Sequence, residues 1–325
     1  MRTIPSYVAA ALLLTVVVPG LAPAQQGAPA QVEAAAIPKV PQIDSKFADA
    51  NGVKLHYLVT GQGDPVLLLH GFGQSSQMWR PLMRELAKNH TVIAADLRGA
   101  GQSDAPTEGY TKAGMARDMH ALMTGLGYSK VSIVGHDIGM MVTYAYAAQF
   151  PNEVEKVVLL EALLPGIGEW NRAWPRDQWH LRFWGKTAEA LVQGRERIYL
   201  EHFWNDFAAD PAKSIPEADR KIYAAEYARP NHVRAGMEWF RLIDQDVKEF
   251  HEYAAKPVTM PMLVLAGEKG SGEALVKQAQ LIDTDVQGAV VPGAGHWLLE
   301  EAPGYVIPKI VDFLDQPPDA VTSGN

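Results

Sequence analysis

The stretch Val131-Ser132-Ile133-Val134-Gly135-His136-Asp137-Ile138-Gly139-Met140 decides the fold. Residues 131–134 are a short apolar run of the kind that forms a strand buried on both faces. A helical stretch begins at Met140, so Gly-x-Asp-x-Gly spans a sharp strand-to-helix turn. Such a turn brings backbone segments so close that side chains at 135 and 139 would clash, which is what glycine avoids. It also presents Asp137 at the positive end of a helix, where a carboxylate is favoured. This is the geometry of a nucleophile elbow, and Asp137 is its candidate nucleophile.

Working outward, further short apolar runs at 65–69, 91–95, 157–160, 262–266 and 289–291 read as strands. Residues 46–50 and 53–59 flank Asn51-Gly52, a hairpin signal. Helical stretches at 77–87 and 112–126 lie between the early runs. The alternation predicts an α/β fold with a mostly parallel eight-stranded sheet flanked by helices. Residues 165–258 differ. They are helical in pattern and hold six of the eight tryptophans, Trp170, Trp174, Trp179, Trp184, Trp204 and Trp239. They predict a helical cap inserted after the sixth strand, with an apolar pocket on its inner face. The core then comprises 43–164 and 259–318.

The N-terminus reads as an export signal. Arg2 precedes an apolar stretch over 7–18 that is short for a bilayer span, and Ala22-Pro23-Ala24 offers small residues for cleavage. The expectation is a signal peptide at 1–24, a flexible leader at 25–42 rich in Ala, Gln and Pro, and a periplasmic or secreted protein with no stable membrane insertion after cleavage. Of the 325 residues 47% are hydrophobic and 20% charged, enough to bury a large core. A net charge of −8 without a long basic run argues against a nucleic-acid surface. The absence of cysteine excludes disulfides and a thiolate nucleophile. No metal and no cofactor are expected, and a homodimer is left open.

The elbow needs partners. His70-Gly71-Phe72-Gly73 follows the run at 65–69, and its Phe72 N–H, with that of Ile138, is expected to form an oxyanion hole. His70 is read as holding the loop, and His136 as packing beneath the elbow. The base should follow the last strand, where Gly293-Ala294-Gly295-His296-Trp297 stands, making His296 the candidate. After the run at 262–266 comes Gly267-Glu268-Lys269-Gly270, with glycine where an acid would be expected. The run at 157–160 instead leads straight into Glu161, the candidate acid, with Glu268 as the alternative. Nucleophile, acid and histidine then occur in the order Asp137, Glu161, His296.

With these residues placed, the chain resembles the α/β-hydrolase superfamily over essentially its whole mature length. Within that it is most similar to the epoxide hydrolase branch and its secreted Cif-type members. The resemblance rests on His-Gly-Phe-Gly at 70–73, Asp-Leu-Arg-Gly-Ala-Gly-Gln-Ser at 96–103, His-Asp-Ile-Gly at 136–139, Glu161, Glu-His-Phe at 201–203 and Gly-His-Trp-Leu at 295–298. It implies attack by Asp137 on an epoxide carbon, an alkyl-enzyme ester, and hydrolysis of that ester by water activated at His296. The substrate would be a small apolar epoxide and the product a vicinal diol. The resemblance also implies two ring-opening donors on the cap. His180, in Trp179-His180-Leu181, matches one. The tyrosine expected before Arg241 is replaced, since the sequence reads Glu238-Trp239-Phe240-Arg241 and Phe240 has no hydroxyl. Trp239 N–H and Tyr223 are substitute donors, and Trp179, Trp239 and Phe240 are expected to line the pocket. Two rivals stay open. A dehalogenase would use the same ester chemistry on a halogenated substrate, with Trp179 and His180 cradling the halide. A ligand-binding relative would use none of it.

Overall fold

The computed structural model describes residues 42–168, 170 and 179–317. The predicted signal peptide, the leader but for Gln42, and Trp174 lie outside the described residues.

The apolar runs pair into one sheet of eight strands, β1 (Asp44–Ala50), β2 (Val53–Gly61), β3 (Asp64–Leu69), β4 (His90–Ala95), β5 (Val131–His136), β6 (Val154–Leu160), β7 (Met262–Gly267) and β8 (Val286–Val291). The spatial order is β1-β2-β4-β3-β5-β6-β7-β8. β2 pairs antiparallel with β1 and β4, and every other pairing is parallel. Asn51 and Gly52 both take positive φ, 51° and 77°, as a tight hairpin turn between right-twisted strands requires. β8 starts three residues before the predicted run. It is an edge strand with Gln287 and Gly288 exposed, so its first half lacks the apolar signature of a central strand.

Helices cover both faces and divide the core in two. On one face β-strand side chains pack with α1 (Arg80–Leu86) and a C-terminal helix at Pro303–Asp315; on the other they pack with α2 (Lys112–Gly125) and α3 (Ile138–Gln149). The stretch predicted as a helix at 77–87 opens with a single 3-10 turn, Ser76–Trp79. Pro81 then sits in the first turn of α1, where its missing N–H costs nothing. All of residues 138–147 in α3 are buried, so this helix carries no amphipathic stripe.

Between β6 and β7 come α4 (Lys186–Val192), α5 (Glu196–Asp206), α6 (Glu217–Tyr227), α7 (His232–Arg241) and α8 (Ile243–Ala254). Polar contacts lash this cap to the core. Lys112, fully buried, gives its Nζ to Asp246 at 2.8 Å and to the Trp239 carbonyl at 2.5 Å, while its N–H donates to Asp246 at 2.8 Å. Removing one partner of such a buried pair costs about 3–5 kcal/mol. Trp204 is also fully buried, and its indole N–H donates to the Gly73 carbonyl at 3.0 Å. After β7 the chain adds α9 (Glu273–Ala279), the one-turn α10 (Leu298–Glu301) and α11 (Pro303–Asp315). Among the described residues no helix is long and apolar enough to cross a membrane.

Candidate active site

The carboxyl ends of the parallel strands all open toward the cap, which is where open α/β sheets gather ligands. Asp137 stands at the end of β5 with φ 52° and ψ −119°, a backbone state that costs a non-glycine residue about 1–3 kcal/mol. The neighbours that hold it there explain the glycines. A Cβ at Gly135 would collide with Thr143 Oγ1 and the Gly139 backbone, and one at Gly139 with the Leu69 carbonyl.

The loop after β3 faces this turn. Phe72 N–H donates to Asp137 Oδ1 at 2.8 Å. Ile138 opens α3, where a backbone N–H has no acceptor within the helix. Both nitrogens of His70 are used within the scaffold: Nδ1 pairs with the Gly71 carbonyl at 2.8 Å and Nε2 accepts from Leu97 N–H at 3.1 Å. Tyr227, which the sequence reading missed, props the same loop by accepting Gly73 N–H at 2.9 Å. Nothing in the linear sequence links a cap phenol to a loop 154 positions earlier.

His296 comes from the loop after β8, and its Nε2 lies 3.8 Å from Asp137 Oδ2. Its N–H donates to the Phe207 carbonyl at 2.9 Å, and its carbonyl accepts from His136 Nε2 at 2.8 Å. Burial holds its imidazole well below the usual histidine range, helped by the charges that His136 and His180 would carry. At neutral pH it is a free base.

Glu161 follows β6, with φ 52°. Its Oε2 accepts Gly267 N–H at 2.6 Å and the Ser271 hydroxyl at 3.1 Å, and its Oε1 accepts Ser271 N–H at 2.6 Å. Burial pushes its carboxyl up to about 7, against these donors. A Cβ at Gly270 would collide with Oε1, so the glycine that stands in place of an acid makes room for this one. Among the described residues no hydrogen bond joins Glu161 to the His296 ring; the carboxylate lines the same cavity. Glu268, the alternative acid, is exposed and holds Gly293 N–H at 2.9 Å.

Asp137, His296, Glu161 and His180 share a cavity of about 550 Å³ whose apolar wall includes Ile138, Met141, Leu181, Phe207 and Phe240. His180 packs against Phe203, Phe207 and Phe240, with ring centroids 5.0–5.4 Å away. Burial drives its pKa down to about 4, with Asp137 opposing, so its imidazole is neutral near pH 7; among the described residues Nδ1 has no hydrogen-bond partner.

Two pocket expectations are corrected. Trp179 is 43% exposed and packs on His202 and Phe183, outside the cavity. Trp239 is fully buried beside His70 and Phe72 and does not line the cavity either. Neighbouring residues on a helical turn point about 100–120° apart. With His180 and Phe240 turned to the cavity, Trp179 and Trp239 face elsewhere. Tyr223, raised as a substitute donor, is buried against Trp204 and absent from the lining. The halide cradle of a dehalogenase thus loses its Trp179 arm.

Comparison with known proteins agrees with this geometry. The family model described as the alpha/beta hydrolase fold matches residues 64–303. The soluble epoxide hydrolase of Corynebacterium sp. (strain C12) is 32% identical over 282 residues, covering 84% of this chain and 98% of that protein. Among solved structures, epoxide hydrolase CorEH without ligand has a TM-score of 0.78 at 31% identity, covering 84% of this chain and 99% of the other. The Cif epoxide hydrolase from Acinetobacter nosocomialis has a TM-score of 0.76 at 26% identity, with coverages of 84% and 89%. The chain belongs to the α/β-hydrolase fold family, in its epoxide hydrolase branch.

Proposed function

We propose that this hydrolase converts epoxides to vicinal diols through an alkyl ester formed on Asp137. The observation that carries the reading is the unequal placement of the two carboxylate oxygens. Oδ1 accepts from Phe72 N–H, while among the described residues Oδ2 accepts no hydrogen bond and faces His296 Nε2 at 3.8 Å.

In the first step Oδ2 attacks a ring carbon, the C–O bond of the epoxide breaks, and an alkoxide forms. The neutral His180 ring stabilises that alkoxide by donating a hydrogen bond, and the alkoxide takes a proton from water. Phe240 contributes no donor. In the second step His296 removes a proton from water as the oxygen attacks Cγ of the ester. Negative charge then collects on Oδ1, which Phe72 N–H already meets and the N–H of Ile138, in the first turn of α3, supports. Collapse expels the diol oxygen, which takes the proton held by His296. Asp137 gives up its own carboxyl proton, balancing the one consumed in the first step.

Glu161 is the group that stabilises the His296 imidazolium as it forms. The same cavity supports apolar epoxides, since aromatic and aliphatic side chains make up most of its wall.

The test is His296→Gln, which leaves alkylation possible and removes the base for release. Intact-mass analysis after exposure to styrene oxide and a panel of aliphatic epoxides is expected to show protein plus substrate, and Asp137→Ala is expected to show none. A folded His296→Gln that stays unmodified with every epoxide turned over by the unsubstituted enzyme contradicts the ester. Halide release from chloroacetate or 1-chlorobutane, without diol formation from any epoxide, would favour dehalogenation instead.

A further inference from the structure

The loop that carries His296 is fastened on both sides by one carboxylate. Glu301, at the end of α10, accepts Trp297 N–H on Oε1 at 3.0 Å and Gly295 N–H on Oε2 at 3.2 Å. These N–H groups belong to the residues on either side of His296. The same Oε2 reaches into the cap, accepting Ala209 N–H at 2.7 Å and Asp210 N–H at 3.4 Å. Glu301 thus takes four backbone donors from two parts of the chain, one on Oε1 and three sharing Oε2.

The two parts touch backbone to backbone. A Cβ at Gly295 would collide with the Ala209 nitrogen and come within 2.7 Å of the Phe207 carbonyl, which also accepts His296 N–H. The cap segment gripped in this way supplies Phe207 and Ala208 to the cavity wall. The link therefore runs from the base, through Glu301, to the surface that contacts substrate.

We propose that Glu301 is a positioning residue that sets His296 against Asp137 and registers the cap segment 207–210 to the base. Charge-assisted hydrogen bonds to backbone N–H groups are about twice as strong as neutral ones, so one carboxylate can hold both loops. Glu301 does not touch the reacting atoms. It acts on the step that uses His296, the hydrolysis of the ester, and leaves the attack by Asp137 alone.

This inference rests on the two-step reading above, and the experiment separates the two. The measurement is single-turnover kinetics with styrene oxide, or whichever panel epoxide alkylates His296→Gln fastest, following adduct formation and adduct decay by quenched-flow mass analysis. Glu301→Gln keeps the shape but removes the charge, and its amide N–H₂ faces either Trp297 N–H or the three N–H groups on Oε2, so at least one of the four bonds is lost and the rest are weakened. Adduct decay is expected to slow by about 10–100-fold, the scale of a displacement near 1 Å, with adduct formation changed less than about twofold. Glu301→Asp keeps the charge on a shorter arm and is expected to recover part of the decay rate. Should Glu301→Gln fail to fold, Glu301→Asp carries the test through its own selective loss of decay. Decay at the unsubstituted rate in the folded variants overturns the inference, and so does equal slowing of both steps. If His296→Gln forms no adduct at all, the two-step reading itself has failed.

Discussion

Phe72 N–H donates to Oδ1 of Asp137 at 2.8 Å. In the proposed mechanism this donor is already aimed at the oxygen that becomes the tetrahedral oxyanion. A preorganised donor of this kind needs no rearrangement at the moment of reaction, and losing one costs about 10²–10³ in rate. The side of the cavity proposed to open the ring is less complete. There the neutral His180 faces Phe240 with ring centroids 5.2 Å apart, and Phe240 offers no proton.

Phe240→Tyr is therefore expected to add a donor beside His180 at little cost in volume. A phenol hydrogen-bonded to the forming alkoxide stabilises the transition state more than the ground state, so alkylation should quicken by about tenfold or more. Release by His296 should change little. His180→Phe should slow alkylation by about 10²-fold. Rapid-quench measurement of adduct formation checks both, and alkylation unchanged in the two variants would remove His180 from the mechanism.

Gly270→Ala tests the placement of Glu161. The added Cβ would collide with Oε1, so the carboxylate must leave the Gly267 and Ser271 donors. Adduct decay is expected to fall by about 10²-fold while adduct formation holds. Decay at the unsubstituted rate would show that the position of this carboxylate does not matter to His296.

Stability should fall as pH rises through 7 toward 8, the range in which three buried carboxyls lose their protons in the folded chain. Burial raises the carboxyls of Glu161 and Glu226 from 4.5 to about 7 and that of Glu300 to about 8. Above 4.5 the unfolded chain has lost these protons while the folded chain keeps them, so their contribution fades as pH climbs through 7 and 8. The buried His70, His136, His180 and His296, all lowered below 6.5, weaken the fold only on the acid side of 6.5. Tm is expected to drop between pH 6.5 and 8.5, and Glu300→Gln should flatten that drop. Each 1 kcal/mol moves Tm by about 2–4 °C in a domain of this size. A Tm that rises over this range would refute the assignment.

How far the sequence could be read follows from how local each signal is. The sheet and the elbow were legible because short apolar runs and Gly-x-Asp-x-Gly encode their own backbone geometry. Glu161 could be singled out as a candidate acid through strand order, since an acid missing after one strand directs attention to the strand before it; that Gly270 makes room for it could not be read. The pocket was read less well. Trp179 and Trp239 sit next to residues that do line it, and which neighbour turns inward depends on the rotation of each cap helix against the core. The clasp at Glu301 left no trace in the sequence because its partners are backbone N–H groups, which every residue but proline carries.

In the proposed mechanism water attacks the enzyme's own ester and never the substrate carbon. A single turnover in H₂¹⁸O, with enzyme in excess over epoxide, tests it most directly. Water oxygen should appear in the Asp137 carboxylate, read by mass spectrometry of the peptide that contains it. The first equivalent of diol should carry none, since its new hydroxyl comes from Oδ2. Label in that first diol, with Asp137 unlabelled, would mean that water opens the ring directly and that no ester forms.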